Sequence, residues 1–207
     1  MKKAVIWDLD GTLFDSYDVI VESIYQTFTE FGIECEKEDI HRHAICFSIS
    51  SLFADHAKRR NIDVQLLNQR YSQISGGKYL DIKVMKHGRE VLEALTAQGV
   101  EQYVFTHRGR TTIPVMDHLN LTSFFSEIIT SQHGFSRKPH PEGLSYLLTK
   151  YDLDPEHTYY VGDRGLDMDC ARNAGIPGIL FMPPGSFDVS GTEIYLIEDL
   201  IEILNIV

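Results

Sequence analysis

Two carboxylates, Asp8 and Asp10, stand directly after a short apolar run, Ala4 to Trp7. A run of that length and composition predicts a buried strand of a parallel sheet. Gly11 then breaks it. Ligands of open parallel sheets bind beyond the carboxyl ends of the strands. Like charges crowded at such an end are costly unless a cation sits between them. An all-oxygen site of this kind suits Mg²⁺. A carboxylate held there can also attack phosphorus and form an aspartyl-phosphate. The plainer alternative is that both acids serve only as turn or cap residues.

Three later strand ends carry polar residues of the same kind. The strand over Gln102 to Phe105 runs into Thr106, His107, Arg108 and Gly109. A hydroxyl there, with the amides that follow it, can donate to a phosphoryl oxygen. Arg108 either clamps a substrate anion or pairs with a surface acid. Lys138, in Arg137-Lys138-Pro139-His140-Pro141, is within reach of the active end of the sheet, and Pro141 fits the first turn of a helix. Alone, Lys138 would pass for a solvated loop lysine. Arg137 and His140 are read as loop residues. The run Val161-Gly162-Asp163-Arg164-Gly165-Leu166-Asp167 is a strand ending in an acid, with a second acid four residues on. Gly162 permits close backbone approach, and Asp167 falls where a carboxylate complements a helix dipole.

The elements that position these residues follow from periodicity. Strands are predicted at Ala4 to Trp7, Glu101 to Phe105, Glu127 to Thr130, Thr158 to Val161 and Gly178 to Phe181. Helices alternate with them, about Gly88 to Gln98, Thr111 to Leu119, Pro141 to Tyr151, Leu166 to Ala174 and Ile197 to Leu204. That is the pattern of an α/β fold with a doubly wound parallel, Rossmann-like sheet. Residues 17 to about 80 read as helical, with no convincing strand. Apolar residues recur at helical spacing from Val19 to Phe31, Gly32 stops that helix, and Ser48 to Arg60 and Val64 to Ser75 supply two more. The expected organisation is a discontinuous core, residues 1–15 and 82–207, interrupted by an all-α insert at 16–81.

Of 207 residues, 43% are hydrophobic and 24% charged, an ordinary globular composition. The net charge of −11 disfavours nucleic acid and anionic membrane as partners. No apolar stretch approaches a membrane span, and the run after Lys2 and Lys3 is too short for a signal peptide. Cys35, Cys46 and Cys170 are too scattered for a disulfide framework or zinc site, and they suit a reducing cytoplasm.

The string Asp8-Leu9-Asp10-Gly11-Thr12-Leu13-Phe14-Asp15-Ser16 resembles the first motif of the haloacid dehalogenase-like hydrolases, in particular their phosphoglycolate phosphatase-like branch. Thr106 matches the second motif, Lys138-Pro139-His140-Pro141 the third, and the run from Asp163 through Asp167 to Gly175 the fourth. The departure lies after Thr106, where this branch often has Asn, Ser or Lys and this chain has His107 and Arg108. The insert is similar to the family's small helical cap in position and helical character.

The resemblance implies a phosphatase acting on a small phosphorylated metabolite. Asp8 would be the nucleophile and Asp10 the general acid and base. Mg²⁺ would be held by the Asp8 carboxylate, the Asp10 backbone carbonyl and Asp163, with Asp167 ligating directly or through water. Lys138, Thr106 and the amides of Leu9 and His107 would stabilise the phosphoryl oxygens, His107 contributing only its amide. Cap residues 41–53, among them Arg42, His43, Phe47 and Ser48, would shape specificity or simply pack. A hexose-phosphate mutase of the same superfamily would share all four motifs. There, a cap-hinge His engages the acid/base, and Ile20 holds that position here. A binding protein without activity is the third possibility, although it would be expected to lose a motif.

Overall fold

The computed structural model describes residues 2–187 and 194–207 and divides into two compact units. One comprises the residues through Asp15 together with Lys83–Val207, and the other is Ser16–Ile82.

The first unit is built on six parallel strands: β1 (Ala4–Trp7), β4 (Glu101–Phe105), β5 (Glu127–Ile129), β6 (Thr158–Gly162), β7 (Gly178–Phe181) and β8 (Tyr195–Ile197). Their order is β5-β4-β1-β6-β7-β8, so β1 lies between β4 and β6. The registers Trp7↔Val104 and Trp7↔Val161 bring the ends of these three strands level. That alignment assembles Asp8, Thr106 and Asp163, each the residue just past a strand end. All four residues of β1 are buried, as expected for a strand covered on both faces.

Alternating side chains divide the core. Ala4, Ile6, Tyr103, Phe105 and Tyr160 pack with Leu144 and Leu147 of α7 (Glu142–Tyr151) and with Cys170 and Ala171 of α8 (Gly165–Ala174). On the opposite side, the Trp7 indole donates to the Gln102 side-chain oxygen at 3.2 Å. The Gln102 amide in turn donates to the carbonyl of Leu92, in α5 (Gly88–Ala97), at 3.0 Å. These buried polar groups are therefore satisfied. Between β4 and β5, α6 (Thr112–His118) buries Val115 and Met116. Two short strands, β2 (Phe14–Asp15) and β3 (Lys83–Val84), pair antiparallel where the chain leaves and re-enters the unit.

The second unit is helical: α1 (Tyr17–Glu30), α2 (Lys37–Cys46), α3 (Ile49–Arg60) and α4 (Val64–Gly77). Ile20, Ile24 and Phe28, at i, i+4 and i+8 on α1, pack with Ile40, Leu52, Phe53 and Leu67. Residues 41–53 close α2 and open α3. Phe47 is exposed between them, and the Ser48 hydroxyl caps α3 by accepting the Ser51 amide at 3.0 Å. Arg42 is exposed and pairs with Glu38, whereas His43 meets the Ser51 hydroxyl at 3.0 Å.

Periodicity does not single out the short strands β2 and β3 or the helix α2, and the C-terminal segment differs from the periodic reading. The expected helix from Ile197 to Leu204 is a sixth strand, Tyr195–Ile197, followed by a 3₁₀ segment, Leu200–Asn205. Tyr195, Leu196 and Ile197 favour a strand beside β7. Asp199 then starts the 3₁₀ segment by accepting the Ile201 amide, while Glu202 accepts the Asp199 amide at 2.8 Å.

Candidate active site

The residues of the candidate cluster lie in the α/β unit, at the carboxyl ends of β1, β4 and β6, in the loop before α7 or, for Asp167, in the first turn of α8. Gly11 adopts φ +84°, a conformation that glycine reaches without strain. The turn it forms folds back on itself, with the Leu9 carbonyl accepting the amides of Thr12 and Phe14 at 3.0 and 2.8 Å. Asp8 and Thr12 are thereby buried side by side with Leu9.

Asp8, Asp163 and Asp167 are buried, and each offers an oxygen within 4.8 Å of the others. The Lys138 ammonium enters the same cluster, 2.9 Å from Asp8 Oδ1 and 2.7 Å from Asp167 Oδ1. Its side chain is completely buried, so it is not a solvated loop lysine. Burial alone would strip its proton, but the carboxylates of Asp167 and Asp8 outweigh that effect. They hold Lys138 charged, with its pKa above the ordinary lysine value. Arg164 Nε also lies 3.8 Å from Asp167 Oδ2, so three carboxylates against one ammonium and one guanidinium leave a formal charge of −1 in the buried cluster. Hard oxygen donors with that residual charge fit Mg²⁺.

The carboxylates are individually positioned. Asp163 Oδ1 accepts the Thr12 hydroxyl at 3.2 Å. Asp167 Oδ1 takes the Lys138 ammonium and lies 3.3 Å from the Tyr160 hydroxyl, which also donates to the Phe105 carbonyl at 3.0 Å. Asp167 Oδ2 accepts the Arg164 amide at 3.2 Å at the start of α8. Both oxygens of Asp167 are thus engaged in anchoring Lys138 and the helix start. Burial, then the charges of Asp167 and Asp8, push the Tyr160 hydroxyl pKa well above its usual value, so it remains a donor. Gly162 has no room for a side chain: an added Cβ would lie 2.4 Å from Asp167 Cβ.

Asp10 stands apart from this cluster. Its Oδ1 accepts Arg108 Nη1 at 2.6 Å, and the guanidinium also lies over the Phe14 ring, 5.8 Å from its centroid. The partner of Arg108 is therefore the second acid of the first motif, not a surface acid. The Arg108 amide donates to Thr106 Oγ1 at 3.2 Å, which leaves the Thr106 hydroxyl proton for another acceptor. Asp169, in contrast, pairs with Arg172 on the exposed face of α8.

His107 is corrected by the structure. Its side chain is not idle: Nε2 accepts the Lys138 amide at 2.8 Å. Burial, followed by the charges of Lys138, Arg137 and Arg164, pulls its pKa down to about 3. Arg137, read as a plain loop residue, approaches the other ring nitrogen to 3.5 Å. Sequence reasoning also passed over Thr12 and Tyr160. Thr12 lies inside the first motif string, whereas Tyr160 looks like any inward residue of a strand.

A family model described as haloacid dehalogenase-like hydrolase matches residues 5–181. The pyrophosphatase PpaX of Oceanobacillus iheyensis is 26% identical over 211 residues, covering 99% of this chain and 96% of that protein. The phosphoglycolate phosphatase of Haemophilus influenzae is 28% identical over 184 residues, covering 84% of this chain and 82% of its own. A solved structure from Haemophilus somnus, described as "a predicted phosphoglycolate phosphatase", superposes with a TM-score of 0.86 at 22% identity, over 99% of this chain and 97% of that one.

Proposed function

The chain belongs to the haloacid dehalogenase-like hydrolases, and we propose that it is a Mg²⁺-dependent phosphatase hydrolysing a small phosphomonoester through an aspartyl-phosphate on Asp8. The observation that carries this reading is the buried meeting of Asp8, Lys138, Asp163 and Asp167. Asp8, Asp163 and the Asp10 carbonyl would hold the metal, with Asp167 beside them. When bound, Mg²⁺ supplies Lewis-acid polarisation of the phosphoryl group and offsets its charge.

An Asp8 oxygen attacks phosphorus, and the bond from phosphorus to the leaving oxygen breaks. Asp10, protonated once Arg108 has left it, gives its proton to that oxygen. Asp10 then takes a proton from water, whose oxygen attacks the aspartyl-phosphate. Inorganic phosphate departs and Asp8 is regenerated. Lys138, the Thr106 hydroxyl and the amides of Leu9 and His107 stabilise the charge on the transferring group. Asp10 must exchange its Arg108 partner for the substrate during this cycle.

The relatives named above are a pyrophosphatase and a phosphoglycolate phosphatase. Pyrophosphate and phosphoglycolate each carry a second anionic group beside the phosphoryl group. Arg108, released from Asp10, is a cation suited to such a group. The substrate is accordingly a phosphorylated metabolite with a second negative charge, phosphoglycolate being one candidate.

The test is a panel of phosphorylated metabolites assayed with Mg²⁺, using Asp8→Asn as control. Asn is nearly isosteric but a far weaker nucleophile. The variant should stay folded, lose at least about 10³-fold in turnover, and form no acid-trappable phosphoenzyme. Turnover within about tenfold of wild type would falsify the assignment.

A further inference from the structure

We propose that the His107 imidazole is a positioning residue: a hydrogen-bond acceptor that fixes the Lys138 backbone and so places the ammonium on Asp8. This rests on the reading of Lys138 as the cation of the phosphoryl site.

Lys138 has two tethers. The side chain is held by Asp8 and Asp167 at 2.9 and 2.7 Å. The backbone amide is held by His107 Nε2 at 2.8 Å. A side chain as long as lysine places its ammonium accurately only if its backbone is also fixed. The loop before α7 supplies no regular strand or helix bond at this residue, so an acceptor must come from elsewhere. His107 extends from the end of β4, next to Thr106, and its ring stands edge-on to Phe105 at 6.2 Å between centroids. It thus joins the second-motif strand end to the third-motif loop across 31 residues of sequence.

Chemistry explains why an imidazole serves. Nε2 accepts the short hydrogen bond, so the single proton of the neutral ring is on Nδ1. Nδ1 then faces Arg137 Nη2 at 3.5 Å as donor to donor, a contact and not a second hydrogen bond. Protonating Nε2 would abolish its acceptor lone pair. Burial and the nearby charges of Lys138, Arg137 and Arg164 oppose that protonation. The ring therefore remains an acceptor throughout the neutral range.

His107→Leu removes the acceptor and strands a buried amide. His107→Gln restores an acceptor at the Nε2 position, whereas in His107→Asn the amide oxygen falls short, near Nδ1. With p-nitrophenyl phosphate and saturating Mg²⁺, kcat should fall about 10- to 100-fold in His107→Leu and His107→Asn, the scale expected for a catalytic group displaced by about 1 Å. KM should change less than about threefold. His107→Gln should recover most of the loss, with a pH profile parallel to wild type from about pH 6 to 8. Lys138→Met supplies the reference for a lost ammonium. If Lys138→Met is inactive while His107→Leu and His107→Asn work normally, the positioning role is overturned and the site reading stands. Equal losses in the Gln, Asn and Leu variants also overturn it, because acceptor chemistry would then be irrelevant. Normal turnover by Lys138→Met overturns the site reading and this proposal with it. Should the Leu variant fail to fold, the comparison of Gln with Asn decides.

Discussion

Acidification should destabilise the α/β unit through His107, by an amount that the structure sets. The ring is neutral in the folded protein, with a pKa near 3, against 6.5 when unperturbed. Between these values the unfolded chain binds one more proton than the folded one, so stability rises with pH and is lost as pH falls below about 6.5. Taking the wild type from pH 7 to pH 5 should therefore cost about 2 kcal/mol from this residue alone. The figure is insensitive to the folded pKa, because a value of 3 or of about 4 lies below the final pH in either case. Other groups titrate over the same range, so the measurement is a difference. Urea unfolding is followed at both pH values for wild type and His107→Gln, whose side chain cannot titrate. Trp7 is the sole tryptophan and is fully buried in β1, so its fluorescence reports the α/β unit specifically. The wild type should lose about 2 kcal/mol more than the variant. Parallel losses would refute a ring held neutral by burial and by the three cations around it.

Mg²⁺ should raise the melting temperature of wild type by mass action, and chelator should abolish both that rise and the turnover. Asp163→Ala should blunt both responses, which a thermal shift assay without substrate reads independently of activity. In Gly162→Ala the new Cβ would sit 2.4 Å from Asp167 Cβ, so Asp167 must move and release Lys138. Urea titration should show a cost of about 1–3 kcal/mol, together with loss of kcat, and a fully active variant would contradict the role of Asp167 as an anchor. Incubation with a hexose 1-phosphate and a bisphosphate primer should yield free phosphate faster than hexose 6-phosphate, because Ile20 is buried in the core of the helical unit and cannot hydrogen-bond a carboxylate. The opposite product ratio would favour the mutase.

Periodicity and strand-end chemistry made much of the α/β unit legible. Apolar runs bounded by glycine and acid marked β1, β4, β6 and β7 because strands covered on both faces tolerate little polarity. The runs that misled were short and mixed. Tyr195–Ile197 has three apolar residues beside an Ile- and Leu-rich segment, and apolar character alone cannot separate a three-residue strand from a helix start. The lone pairs and protons of the site were less accessible still. That Thr106, Lys138 and Asp163 follow strand ends can be read along the chain. That His107 accepts from the Lys138 amide, or that Arg108 takes Asp10, depends on contacts spanning 31 and 98 residues. Those contacts arise only once the β1, β4 and β6 ends are level.

The two unusual residues after Thr106 divide a single electrostatic task. On the proposed mechanism, a phosphoryl dianion nearing Asp8 would meet a net negative charge, three carboxylates against the Lys138 ammonium and the Arg164 guanidinium. Charges at such separations in a poorly screened pocket repel by several kcal/mol. A divalent metal would offset the resident charge, but the incoming charge would remain. Lys138 can offset part of it only from a fixed position, which is where His107 contributes without adding charge. Arg108 lies one residue further on and carries a charge that His107 lacks. Its 2.6 Å contact with Asp10 compensates that charge within the site and would make it transferable to an arriving anion. A neutral residue that holds and a cation that exchanges partners make sense side by side, because the first must not respond to the substrate and the second must.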